Sequence, residues 1–164
     1  MDFDFTPEQV MLRDLAREFL SRQCPPTFVR RMMDDPTGYD EGVWRQLAEI
    51  GLHGVAIDEQ YGGQGLGMVE LALVAEEMGR AVYPGPYFAS VVLAASAIVA
   101  SGDRTQMGAY LPGIASGETR GTLALIEDAV TWGPESVGLR ARPDGGGFVL
   151  SGIKRFVPDR KSVV

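Results

Sequence analysis

The spacing of apolar residues changes near residue 118, and this change constrains the fold more than any other feature of the chain. Before it, apolar side chains recur every three or four positions, which is typical of helices that each bury one face. After it, short runs of strand-forming residues alternate with glycine-rich turns. The pattern predicts an α+β fold, in which a helical bundle (residues 1–118) precedes an antiparallel β domain (residues 119–158).

Five helices are expected in the first part. The first begins at Thr6, whose hydroxyl can cap a helix that starts with Pro7 and carries Gln9, and it ends before the prolines that follow Cys24. The other four are expected over residues 40–50, 68–80, 88–100 and 104–116.

The same spacing predicts which side chains of these helices face inward. The expected inward residues are Met11, Leu12, Leu15, Ala16, Phe19 and Leu20 in the first helix, Trp44, Leu47 and Ala48 in the second, Leu71, Val74, Ala75 and Met78 in the third, and Met107, Tyr110, Leu111 and Ile114 in the last. On the third helix, Glu76 is expected to pair with Arg80, four residues further on.

Residues 119–158 hold too little chain for a closed β domain. The run GTLALIE (residues 121–127) predicts a buried strand, and Asp144-Gly145 predicts a turn between two further strands. A last strand is expected around Phe156 and Val157. So few strands leave edges and apolar faces uncovered, which indicates the opening of a larger β domain.

Composition excludes several classes of function. The net charge of −7 and the scattered basic residues disfavour a nucleic-acid partner, because phosphate backbones require a basic stripe. The longest apolar run, residues 88–100, is shorter than the roughly 20 residues that a membrane span requires. The single cysteine and the acidic start, which lacks the features of a signal peptide, favour a cytoplasmic protein without a disulfide framework.

The glycine cluster YGGQGLG (residues 61–67) is the most conspicuous candidate for a phosphate cradle. It lacks the Lys-Ser/Thr pair of a Walker loop, and it does not follow a strand as a dinucleotide fingerprint does. A tight connection between helices that uses positive φ angles is the better interpretation.

No side chain of the sequence forms a convincing catalytic or metal-binding set. His53 is the only histidine and has no cysteine or glutamate at metal-ligand spacing, so it is expected to be structural or on the surface. Glu76 and Glu77 point about 100° apart on a helix and are expected to be solvated charges. Cys24 has no cationic neighbour that would activate it as a nucleophile.

Three motifs, in order, resemble the acyl-CoA dehydrogenase family. They are GGQGLGMVELALVAEEMGRAVYPGP, AYLPGIASGETRGTLALIED and GFVLSGIKRFVPD, and the resemblance extends from Phe5 to about Pro158. It implies a helical N-terminal domain followed by the first, incomplete part of an antiparallel β-barrel, with a C-terminal helical bundle in full-length members.

The resemblance also implies an activity and a cofactor, FAD. In the family, a glutamate removes the α proton of an acyl-CoA thioester while the β carbon gives a hydride to flavin N5. That glutamate comes from the C-terminal bundle, so no catalytic residue is expected here and this fragment is expected to be inactive. The implied partners are the acyl-CoA substrate and, for the full-length parent, a homo- or hetero-tetramer.

The resemblance places part of the flavin-binding wall on this chain. The implied contacts are Leu123, Leu125, Ile126, Trp132, Phe156, Val157 and Pro158, and the family's wall glutamate falls on Glu127. Ile126 and Pro158 stand where threonine is usual, and the family's Gly-Ser-Asp turn falls on residues 131–133. These departures indicate a divergent branch that acts on bulky acyl-CoAs such as steroid side chains.

Three alternatives remain open at this stage. They are a non-catalytic partner subunit of a mixed dehydrogenase, a flavin oxidase or monooxygenase of the same superfamily, and a free-standing helical binding module. The last six residues, DRKSVV (residues 159–164), match the translation of a common sequencing adaptor and are expected to be a non-native tail.

Overall fold

A helical bundle and a two-stranded hairpin make up the fold. The computed structural model describes residues 4–128, 133 and 136–159. Its helices are α1 (Pro7–Gln23), α2 (Pro26–Asp34), α3 (Glu41–Glu49), α4 (Met68–Arg80), α5 (Ala95–Ser101) and α6 (Arg104–Ala115), with a π-helical segment (Phe88–Ala94) directly before α5. The strands are β1 (Ala141–Asp144) and β2 (Gly147–Leu150), which pair antiparallel. The predicted α+β order is confirmed.

Side-chain caps mark the starts of α1 and α3, and the first of these caps, at Thr6, is the one that the sequence predicts. The Thr6 hydroxyl accepts a hydrogen bond from the Gln9 amide at 3.3 Å, and the Gln9 side chain accepts one from the Thr6 amide at 3.0 Å. Asp40 caps α3 in the same way, by accepting from the Val43 amide at 3.0 Å. These side chains satisfy amides that have no partner within the helix.

Helix α2 was not expected from the sequence. Pro26 stops α1, but it also occupies the first turn of a new helix, where proline is well tolerated because its missing N–H has no intrahelical acceptor there. Phe28 and Met32 anchor α2 to the core.

Two of the predicted inward faces are wrong in part. On α1, Met11 and Leu15 are 64% and 43% exposed, and Ala16 and Leu20 are the fully buried residues. On α6, Tyr110 is 51% exposed. Adjacent stripes on a helix are equally periodic, and the position of the neighbouring helices decides which one is buried.

The glycine cluster forms the tight connection that the sequence favours. The amides of Gln64, Gly65 and Leu66 donate to the carbonyls of Gly54, Ile57 and Val55. A Cβ at Gly63 would lie 1.9 Å from the Ile57 oxygen, so this position has room only for glycine. The loop therefore packs against the backbone of the preceding segment, residues 54–57.

Glu77 is a buried charge, contrary to the expectation of a solvated one. Its side chain is 1% exposed, and it accepts hydrogen bonds from Arg17 at 2.6 Å and from Arg80 at 2.5 Å. Arg80 thus pairs with Glu77 and not with Glu76. The hydrogen bond from Arg17, assisted by Arg80, holds the pKa of Glu77 below its ordinary value. This triad joins α1 to α4.

His53 lies in the core, which confirms the structural interpretation. It is 0% exposed, and its ring centroid is 3.9 Å from that of Trp44. Neither ring nitrogen has a hydrogen-bond partner among the described residues. Burial, with the nearby positive charge of Arg120, lowers the pKa of His53 to about 3.

The β part differs from the prediction in three places. Residues 121–127 and the segment around Phe156 and Val157 form no strand, and Phe156 has a φ of 50°. In the hairpin, Asp144 pairs with Gly147, so the turn consists of Gly145 and Gly146, both with positive φ. A strand requires a neighbouring strand to pair with. Among the described residues, β1 and β2 pair only with each other.

Replacing Glu77 by glutamine should destabilise the fold by about 2 kcal/mol, because it weakens two charge-assisted hydrogen bonds at a buried position. Urea unfolding measures this. The matched control is Glu76→Gln, which changes an exposed neighbour and should shift stability by less than about 0.5 kcal/mol. The lowered pKa means that the Glu77 contribution is present above pH 4.5 and is lost as the pH falls through the folded-state pKa. Equal effects of the two variants would contradict the assignment.

Replacing His53 by phenylalanine should remove part of the acid sensitivity. Since the folded-state pKa of about 3 lies below the ordinary 6.5, the unfolded chain binds a proton that the folded chain does not, and stability falls as the pH drops from 6.5 towards 3. One such group gives a slope of about 1.4 kcal/mol per pH unit. Urea unfolding between pH 5 and pH 7, above the range in which Glu77 titrates, should show that the free energy of unfolding changes less with pH in the variant. An unchanged pH dependence would contradict the lowered pKa of His53.

Candidate functional site

Two irregular segments, residues 122–128 and 154–158, lie side by side, and together we call them the paired edge. The Arg155 amide donates to the Ile126 carbonyl at 2.8 Å. The Thr122 hydroxyl donates to the Pro158 carbonyl at 2.6 Å, at the opposite end of the second segment. These are the two segments that the sequence analysis selected, and the structure brings them together.

Glu127 and Lys154 connect the centre of the paired edge. The Lys154 ammonium donates to the Glu127 carboxylate at 2.7 Å and to the Leu125 carbonyl at 3.2 Å. The same carboxylate accepts from the amides of Gly138 and Leu139 at 2.8 and 3.0 Å. The Glu127 side chain therefore connects three parts of the chain: its own segment, residues 138–139 and the segment that carries Lys154.

This environment fixes the charge of Glu127. The hydrogen bond from Lys154, followed by those from the two amides, lowers the pKa of the Glu127 carboxyl to about 2. A carboxylate with so low a pKa is a poor proton acceptor near neutral pH. Glu127 is therefore suited to holding backbone in place and unsuited to acting as a general base.

The predicted flavin contacts differ in accessibility. Phe156 is 75% exposed, and Ile126 is 4% exposed. The remaining described contacts are half-buried: Leu123, Leu125, Val157 and Pro158. Trp132 lies outside the described residues.

The role of Lys154 was not expected from the sequence. A signal was available, since a lysine stands in the KRFVP motif and Glu127 stands at the wall-glutamate position of the first segment. Their pairing could not be derived from the sequence because 27 positions separate them.

Other candidate residues carry no chemistry in the structure. Cys24 is buried, and burial raises the pKa of its thiol to about 11, so the nucleophilic thiolate is not formed near neutral pH. In the described part of the chain, no three His, Cys, Asp or Glu side chains cluster closely enough to hold a metal ion. Across residues 4–128 and 136–159, no helix is both long enough and apolar enough to cross a membrane.

Residues 6–118 match the family model for the acyl-CoA dehydrogenase N-terminal domain. The chain belongs to the acyl-CoA dehydrogenase family. Mitochondrial isovaleryl-CoA dehydrogenase from Bos taurus is 34% identical over 152 residues, which cover 92% of this chain and 36% of that protein.

Solved acyl-CoA dehydrogenase structures share the fold. A variant of the Tcur3481-Tcur3483 steroid ACAD has a TM-score of 0.84 at 38% identity, over 95% of this chain and 42% of that one. An acyl-CoA dehydrogenase complexed with FAD from Bacillus anthracis has a TM-score of 0.78 at 27% identity, over 94% of this chain and 27% of that one. The chain thus spans less than half the length of each of these relatives.

The paired edge fits the flavin that the family binds. An isoalloxazine ring has apolar faces and hydrogen-bond acceptors on its rim, so it requires apolar side chains and free amides. The paired edge offers the exposed ring of Phe156, and within the described chain the amides of Ile126 and Val157 donate no hydrogen bond. The side chain of Ile126 is buried, so only its backbone is suited to contact a ligand.

Replacing Lys154 by methionine should raise the pKa of Glu127 from about 2 towards the ordinary 4.5, because the largest cause of the lowering is removed. Carbon-13 NMR of the glutamate carboxyl groups against pH measures this. Arg155→Met is the matched control, since Arg155 contacts Asp128 and not Glu127. A Glu127 pKa that stays near 2 in the Lys154 variant would contradict this arrangement.

Proposed function

We propose that this chain is the N-terminal part of an FAD-dependent acyl-CoA dehydrogenase, which removes hydrogen from the α and β carbons of an acyl-CoA thioester. The observation that carries the proposal is the paired edge. It joins, by a backbone hydrogen bond and the Lys154–Glu127 ion pair, the two segments to which the resemblance assigns the flavin contacts.

The residues of this chain have a binding role in the proposal. Phe156, Val157 and Pro158 from one segment and Leu123, Leu125 and Ile126 from the other form a wall against the flavin, and Trp132 is assigned to the same wall by the resemblance alone. FAD, when bound, supplies the hydride acceptor. The wall excludes water from one side of the ring, which strengthens electrostatic interactions there.

The base that removes the α proton must come from elsewhere in the protein. Glu127 is the acidic residue at the centre of the paired edge, and its low pKa makes it unsuitable. The proposal therefore assigns the base to a further domain, as the family resemblance implies, together with the tetramer contacts and most of the acyl pocket. The substrate class that we favour is a bulky acyl-CoA, since the steroid ACAD variant is a close structural match. A cytoplasmic location stays a prediction.

A second candidate function is a non-catalytic partner subunit in a mixed dehydrogenase. The specific observation is that Ile126 and Pro158 occupy positions where, by the resemblance, threonine is usual, and neither side chain has a hydroxyl that could donate a hydrogen bond to the flavin. In this case the paired edge would be structural, and the partner subunit would bind the FAD.

Activity measurements separate these possibilities. We expect the 164-residue chain alone to show no turnover with FAD, a panel of acyl-CoAs and a dye acceptor, because the proposal assigns the base to a further domain. A longer protein in which this chain is joined to the proposed further domain should purify with FAD, and anaerobic addition of an acyl-CoA should bleach its visible absorbance.

Each result has a clear consequence. Robust turnover by the 164-residue chain would disprove the assignment of the base to another domain. A longer protein that is colourless alone but active with a second subunit would favour the partner-subunit function. Rapid reoxidation of its reduced flavin by oxygen would favour an oxidase or monooxygenase instead.

A further inference from the structure

Ser90 makes a pair of hydrogen bonds that links the helical bundle to the paired edge. It lies in the π-helical segment and is 0% exposed. Its hydroxyl donates to the Gly121 carbonyl at 3.0 Å and accepts from the Gly121 amide at 3.1 Å. The Ser90 side chain therefore satisfies both the amide and the carbonyl of Gly121, which lies in the linker between the bundle and the paired edge (residues 118–121). We call these two hydrogen bonds the Ser90–Gly121 latch.

Close packing reinforces the latch. A Cβ at Gly121 would lie 2.7 Å from the Cβ of Ala94, closer than such atoms approach in proteins. Ala94 belongs to the same π-helical segment as Ser90 and is 7% exposed. The linker at Gly121 thus lies directly on the helix surface, and only glycine fits there.

The latch is followed immediately by the paired edge. Thr122, the next residue, donates to the Pro158 carbonyl, and Ile126 pairs with Arg155. Residues 118–121 connect the bundle to the paired edge, which begins at Thr122. Among the hydrogen bonds of the described residues, the latch is the last one along this connection that joins it to the bundle. A shift at Gly121 would therefore move both segments of the paired edge together.

The π-helical geometry of the Ser90 segment is a second observation that points to a role beyond packing. In this segment the Ala95 amide donates to the Ser90 carbonyl, five residues back, which makes a wider turn than that of an α-helix. Such segments are rare, and they occur frequently at functional sites. Here the wide turn carries both residues that contact Gly121.

We propose that Ser90 is a positioning residue that fixes the paired edge relative to the helical bundle. The part of this inference that concerns flavin rests on the proposed function. A flavin held by the paired edge must lie at a set distance from any substrate held by the bundle, because small displacements of reacting groups reduce rates strongly. Ser90 does not have to contact flavin or substrate for this role.

Amide exchange in the 164-residue chain tests the latch without any cofactor. In Ser90→Ala, the amides of Gly121 and Arg155 should exchange about five to ten times faster than in the unchanged chain, because the first loses its acceptor and the second depends on the position of the first segment. Amides of the core helices, such as that of Leu47, should change much less. Ser96→Ala is the matched control, since Ser96 lies on the same helical stretch and has no hydrogen bond to Gly121 among the described residues.

A steric pair of variants gives a second test that does not involve the hydroxyl. Gly121→Ala should accelerate exchange at Arg155, because the new methyl group pushes the linker away from Ala94. Adding Ala94→Gly restores the space and should return the Arg155 exchange rate towards its original value. A purely destabilising effect would not be rescued, since glycine in a helix lowers stability further.

The flavin readout uses the longer protein that contains this chain. Ser90→Ala should shift the visible absorbance bands of bound FAD and lower kcat at least tenfold with a smaller change in KM, and Ser96→Ala should leave the flavin bands in place.

Uniform acceleration of all amides, or no change at Gly121 and Arg155, would overturn the latch. Selective acceleration with an unchanged flavin spectrum and kcat would overturn its positioning role. If the unchanged longer protein binds no flavin, the proposed function fails, while the exchange measurements still decide whether Ser90 fixes the paired edge.

Discussion

The hydrogen bond from the Trp44 indole to the Gly117 carbonyl, at 2.8 Å, determines where the helical bundle ends and in which direction the chain leaves it. Gly117 has a φ of 77°, and a Cβ there would lie 3.0 Å from the Cβ of Ala48 and 3.2 Å from the His53 ring. Only glycine can bring the backbone close enough for this contact. Both segments of the paired edge come after Gly117 in the chain, so their position depends on where the chain leaves the helical bundle.

A small aromatic and charged cluster surrounds the exit. The His53 ring packs on Trp44, and the guanidinium of Arg120 lies 5.5 Å from the ring centroids of both Trp44 and Tyr39 while it pairs with Glu41. Cation–π contacts of this kind hold a charged side chain against an apolar core. Contacts at Gly117, Arg120 and Gly121, one after another along the chain, therefore hold the linker against the bundle.

Charge placement distinguishes the bundle from the paired edge. In the bundle, Glu77 is buried between two arginines that remain about half exposed, so it contributes to the contact between α1 and α4. In the paired edge, Glu127 organises backbone amides with the help of Lys154. Both carboxylates keep their charge because of their partners, and neither has the raised pKa that a general base near neutral pH requires.

The sequence by itself determined what depends on near neighbours in the chain. The Thr6 cap, the ends of α4 and the presence of a hairpin turn within one residue of Asp144-Gly145 could be predicted, because caps, helical periodicity and turn-forming residues are local properties. Only the tertiary structure decided between equally periodic alternatives: Leu20 and not Leu15 facing the core, and Glu77 and not Glu76 pairing with Arg80. It also decided that residues 121–127 form no strand and that Lys154 meets Glu127, because a strand and an ion pair both require a partner from a distant part of the chain.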